Sequence, residues 1–175
     1  LRPIYDRLLA MPEVKRIGWA TDLPWNCQTN GVQEKGEGEE SVCSWVFYSS
    51  MDTTCMSMLG FEVVEKYCEP DNDKHWITED TRDRYGISAD NPNVGGQIEG
   101  TACYPVCGVI KDYRSFDPVN GNSMEDGHNI IEVMMTVNHA VYMLIELSDE
   151  GLKDVERSKQ RIQSTCRAVT KETVG

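Results

Sequence analysis

The sequence predicts a mainly-β protein of six to nine strands with a helix at each end. Three observations carry that reading. Runs rich in β-branched and aromatic residues recur, with Val42–Ser50 and Ala140–Leu147 the clearest. Gly/Asn/Asp/Pro punctuation separates them. Apolar residues at 3/4 spacing are confined to a short N-terminal stretch and the last 27 residues, from 149 onward.

Taken in order, Pro3–Met11 reads as a short helix. Pro3 sits in its first turn, and Ile4, Leu8 and Met11 share a face. A first strand is expected near Arg16–Thr21. Residues 28–41, with Gly31, Gly36 and Gly38 among Glu34, Glu37, Glu39 and Glu40, read as a solvated loop. A strand over 42–50 follows, then another over 56–67, where Phe61, Val63, Glu65 and Tyr67 alternate with Glu62, Val64 and Lys66. The stretch 69–95 is polar and turn-rich, with His75–Thr78 a short strand inside it. Strands are expected at 97–101 and 107–113, and a loop at 117–128. Ile130–Val137 and Ala140–Leu147 read as a hairpin turning at Asn138-His139, two residue types that tolerate positive φ. Ser148 is the expected N-cap of a helix over 149–168. Its stripe of Leu152, Val155, Ile162, Cys166 and Val169 is narrow, so it covers a surface and does not thread a core. No repeat or linker divides the chain, and residues 1–175 read as one domain.

Charge and cysteine content bound the function. The 29 Asp+Glu against 17 Lys+Arg give a formal net charge of −12. That excludes nucleic-acid binding through clustered Lys/Arg and docking on anionic lipid. Residues 34–99 hold 15 acidic and 5 basic side chains, so −10 of the −12 lies there. No apolar run reaches membrane-spanning length. The first residue is Leu1, which reads as a processed or trimmed start. The 7 cysteines are spread along the chain without Cys-x2-Cys pairs. They read as three disulfides and one spare thiol in a secreted protein.

No catalytic set stands out, and a non-enzyme is expected. There is no nucleophile elbow, phosphate loop or dinucleotide fingerprint. His75, His128 and His139 have no metal-ligand spacing and read as turn or surface residues. Asn122–Glu132 fails as a calcium loop, because Met124 and Val133 fall where oxygen ligands belong. No metal or cofactor is expected.

The order of elements resembles the lipocalins: a short N-terminal helix, a Trp-bearing first strand, antiparallel strands, a final hairpin and one helix outside. That family carries Gly-x-Trp, where this chain has Gly18-Trp19 without the spacer, and Thr136-Val137-Asn138 echoes its Thr-Asp-Tyr turn. The acidic, cysteine-rich character is similar to the divergent cysteine-rich members. The resemblance implies an antiparallel β-barrel with the last helix packed outside, tied back through Cys166. It implies a secreted carrier whose cavity holds a small hydrophobic or amine ligand. Independently of the resemblance, Met and aromatic residues on the predicted strands are the expected wall of any such cavity, with Trp45, Phe47, Phe61, Tyr67, Met135 and Tyr142 the candidates. An inward Glu132 would meet a cationic head group, and Glu146 is the other acid in an apolar strand. The alternative is an acidic β-sandwich that binds a basic, chemokine-like protein partner in immune modulation.

Overall fold

The structure is a computed structural model that describes residues 1–35, 41–95, 103–113 and 128–174. The chain forms α1 (Arg2–Leu9), β1 (Val14–Ala20), β2 (Gln28–Lys35), β3 (Ser41–Met51), α2 (Thr53–Met58), β4 (Val63–Lys66) and β5 (His75–Thr78). It continues with α3 (Glu79–Tyr85), β6 (Asn93–Gly95), β7 (Cys103–Ile110), β8 (His128–Val133), β9 (Tyr142–Leu147), α4 (Asp149–Leu152) and α5 (Val155–Val174).

The strands make one open, mixed sheet in the order β4-β7-β5-β8-β3-β1-β9, with β2 added to β3 and β6 to β7. The pairs β3/β8 and β5/β7 are parallel. Every other pair among the described residues is antiparallel. The outer strands β4 and β9 do not pair with each other, so the expected antiparallel barrel is not formed. The reason lies in the strand order. The expected hairpin of 130–137 with 140–147 does not exist, because β8 pairs with β3 and β5 while β9 pairs with β1. A 3-10 turn at Val137–His139 carries the chain between them.

Both faces of the sheet are covered. On one, α2 and its flank seat Cys55 and Met56 against Met51, Trp76, Ile131 and Val133. Gly18 permits this approach, since a β-carbon there would lie 2.5 Å from the Cys55 amide nitrogen. On the other, Val32, Val46, Ile77, Val94, Val106 and Ile130 form a second core. Strands buried on both faces lose the alternating pattern; His75–Thr78 is buried at all four positions.

Helices α1 and α5 close the β1/β9 end, with Leu8, Val14 and Ile17 packed against Ile162, Cys166 and Ile145. Arg7 meets Glu172 at 3.7 Å, and Glu13 meets Arg161 further along. Rising numbers on one side match falling numbers on the other. The first and last helices therefore run antiparallel, and the two ends of the domain lie together.

Several local expectations change. Residues 28–35, expected as loop, form β2, because β3 supplies a register of eight paired positions from Gln28↔Tyr48 to Lys35↔Ser41. The expected strand over 56–67 is split by α2, whose first turn is capped by Asp52 accepting from the Cys55 amide at 2.8 Å. The polar stretch 69–95 contains α3, capped by Thr78 and closed by Gly86 at φ 61°. The expected strand at 97–101 and most of the loop at 117–128 lie outside the described residues. Ser148 caps as expected, accepting from the Gly151 amide at 3.2 Å. The helix is broken after Leu152 and recapped by Asp154, which accepts from the Arg157 amide at 3.0 Å. That break shifts the phase, leaving Leu152 and Val155 exposed while Val169 is buried.

Among the described residues, which include all seven cysteines, no disulfide is formed, which overturns the three expected ones. Cys55, Cys68 and Cys107 gather at one core. Cys43 and Cys103 are exposed, Cys55 and Cys107 are fully buried as small apolar core residues, and Cys166 of α5 packs against the Leu8, Val14 and Ile17 core.

Candidate functional site

A row of polar side chains crosses three central strands on one face. In the parallel register Ser50 on β3 stands opposite Glu132 on β8, and in the antiparallel register His75 on β5 stands opposite the same Glu132. Ser50 Oγ donates to Glu132 Oε2 at 2.7 Å. One pleat away on β3, Tyr48 Oη lies 3.3 Å from His75 Nε2. Tyr104 of β7 closes the group with its ring 5.2 Å from the imidazole, edge on.

The protonation pattern follows from the partners. His75 Nδ1 is 3.1 Å from the Pro105 carbonyl oxygen, which can only accept, so Nδ1 carries the proton. Burial pushes the His75 pKa down, so the ring is neutral and Nε2 accepts from the Tyr48 hydroxyl. Burial, and then the charge of Glu132, push the Tyr48 phenol far above its ordinary range. Tyr48 is therefore a hydrogen-bond donor and not a phenolate nucleophile.

This row borders an open cleft of about 590 Å³, lined among others by Thr21, Asp22, Gln28, Tyr48, Ser50, Asn72, Asp73, Glu132 and His139. Among the described lining residues three side chains are carboxylates and none is lysine or arginine. Gln28 Nε2 donates to both Asp22 oxygens at 3.2 Å. Asp73 holds the left-handed region at φ 65°, sparse for a non-glycine residue. Among the described residues no group of three or more His, Cys, Asp or Glu side chains is arranged to hold a metal ion. The cleft can accept hydrogen bonds and attract a cation.

The expected cavity wall is dispersed over the sheet. Trp45 is 63% exposed on the outer surface of β3, and Phe47 follows on the same face, half-buried. Phe61 packs against Tyr113 at 4.7 Å on the α2 side. Tyr67 lies against the opposite core and donates to Glu65 at 2.9 Å. Met135 is exposed beyond β8, its amide donating to Asn72. Tyr142 sits on β9 and accepts from Asn26 at 3.0 Å. Of the seven, Glu132 is a lining residue of the cleft. Glu146 points outward, where Lys15 and Arg16 hold its carboxyl below the usual range. His75, expected in a turn or on the surface, is buried in β5. The apolar run Trp76-Ile77 beside it is the sequence signal that it lies in a core strand.

No family model matches the sequence, and no curated protein does. Solved structures do. The chain is similar to the periplasmic region of MacB from Actinobacillus actinomycetemcomitans, at 12% identity and a TM-score of 0.58, over 96% of this chain and 73% of that one. It is also similar to the extracellular domain of the noncanonic ABC-type transporter YknZ from Gram-positive bacteria, at 12% identity and a TM-score of 0.51, over 86% and 75% of the two chains. At that identity the shared property is the fold. These neighbours are transporter domains and not lipocalins, so the lipocalin resemblance is overturned together with its barrel. Among the described residues no helix is long and apolar enough to cross a membrane.

Proposed function

We propose that this chain is the extracytoplasmic domain of a transporter-type membrane protein, joined to the membrane at both of its ends. The observation that carries the reading is the antiparallel packing of α1 on α5, with Arg7 beside Glu172. It sets the entry and exit of the domain side by side, as an insert between two membrane-anchored segments requires. The likeness to the MacB and YknZ domains, each described as periplasmic or extracellular, supports the same reading. On this reading the domain relays or receives contacts outside the cell, and the sheet is the rigid body that does so.

The test uses the two exposed thiols, Cys43 and Cys103. In spheroplasts expressing the full-length protein, a membrane-impermeant maleimide should label it before lysis, and C43S/C103S should abolish most of that signal. Labelling that requires lysis would defeat the proposal.

A second reading keeps the amine ligand and drops the barrel. The carboxylates of Asp22, Asp73 and Glu132 around one cleft favour a small organic cation. Calorimetric titration with putrescine and spermidine tests it. Binding should weaken in D22N and E132Q, and the absence of binding heat in the wild type would end this reading.

A further inference from the structure

We propose that the Tyr48 hydroxyl exchanges its acceptor as pH falls, from His75 Nε2 to the Glu132 carboxylate, and that this exchange loosens the hold of the cleft on a cation. The exchange stands on the geometry of the strand row. Its effect on a cation rests on the organic-cation reading of the cleft.

Tyr48 stands between two acceptors. Its Oη lies 3.3 Å from His75 Nε2, and the Glu132 carboxylate acts on the same hydroxyl by charge and by hydrogen bonding. Glu132 already accepts from Ser50 through Oε2 at 2.7 Å, which leaves a carboxylate room for a second donor. Four titratable groups face the imidazole: Tyr48 from β3, Tyr104 from β7, Glu132 from β8 and Asp73 from the turn before β5. Lys74, the cation next to it in the chain, acts on Cys107 instead.

At neutral pH the ring is uncharged and Tyr48 donates to Nε2. As pH falls, one proton from solvent binds Nε2, since Nδ1 already carries the proton given to Pro105. Nε2 then donates, Tyr48 Oη accepts, and the Tyr48 proton turns to Glu132. A hydroxyl accepts and donates at once, so every polar group in the row keeps a partner. Burial holds the charging below the ordinary histidine value near 6.5, while Glu132 and Asp73 draw it back up.

The cleft feels the result twice. Glu132 lines it beside Asp22 and Asp73. After the exchange Tyr48 occupies the carboxylate, and a positive charge stands behind it. Both weaken the pull on a cation. The coupling is reciprocal: a cation in the cleft must push the His75 titration to lower pH. His139 is a second imidazole lining the cleft, from an exposed turn, and serves as the control.

The experiment follows the imidazole and Tyr48 ring signals by NMR from pH 7.5 to 4.5, with and without putrescine. The Tyr48 signal should move with the His75 midpoint in wild type and H139Q, and stay flat in H75Q. E132Q and added putrescine should each lower that midpoint. By calorimetry, putrescine should bind wild type about tenfold more weakly at pH 5 than at pH 7.5, with a smaller loss in H75Q. Thermal melts of each variant establish that the fold is kept. A His75 ring that stays neutral throughout, or a Tyr48 signal that does not follow it, would overturn the proposal. So would an equal acid loss of putrescine in H75Q. Absence of putrescine heat at pH 7.5 would end the cation reading and with it the second half of the proposal, while the NMR titration still decides the exchange.

Discussion

Tyr48 donates its hydroxyl proton to His75 Nε2 across 3.3 Å, because His75 Nδ1 is committed to the Pro105 carbonyl. Charging the imidazole would put a proton on Nε2 and remove the acceptor that Tyr48 uses. Glu132 and Asp73 favour the charged ring, while burial, the larger effect, opposes it.

His75 has a lowered pKa in the folded state, so the unfolded chain takes up its proton first as pH falls. The associated stability is present above the unfolded histidine value near 6.5 and is lost below it. One such group changes stability by at most about 1.4 kcal/mol per pH unit. Urea midpoints measured from pH 7.5 to 5 should fall for wild type and fall less for H75Q. Parallel profiles would show that His75 is not the titrating group.

Gly18 lies under α2, and a methyl group there would strike the backbone of Cys55 at 2.5 Å. G18A should cost about 1–3 kcal/mol by overpacking, read from urea unfolding. An unchanged midpoint would mean that α2 does not seat on β1.

Glu13 is 6% exposed and pairs with Arg161, which is half-exposed. R161A leaves a buried carboxylate without its partner and should cost about 1–3 kcal/mol. R161A added to E13Q should cost much less. A double-mutant cycle by thermal unfolding reads the difference, and additive losses would show that the pair is not coupled.

The Ser148 hydroxyl accepts from the Gly151 amide and donates to the Pro12 carbonyl at 2.5 Å. S148A should destabilise by about 1 kcal/mol and speed hydrogen exchange at Gly151. Exchange unchanged at that amide would deny the cap.

Cys55 and Cys107 are buried, and burial pushes both thiols up to about 12. At neutral pH a maleimide should label Cys43 and Cys103 quickly, and Cys55 and Cys107 after unfolding. A non-reducing peptide map that finds any of the seven cross-linked would reverse the thiol assignment.

Local chemistry determined much of this protein from sequence alone. Pro3, Ser148 and the runs at 42–50 and 75–78 placed α1, α4, β3 and β5, because caps and strand-forming side chains act over a few residues. Tertiary structure decided the rest. Which strand pairs with which depends on contacts far apart in the chain, such as Ser50 with Glu132, and no local pattern encodes a parallel register. Polar β2 became a strand because β3 offered it an edge. Distance in space, set by the order of strands in the sheet, turned an expected cavity wall into an exposed Trp45 on a ribbon and a Glu132 on a cleft.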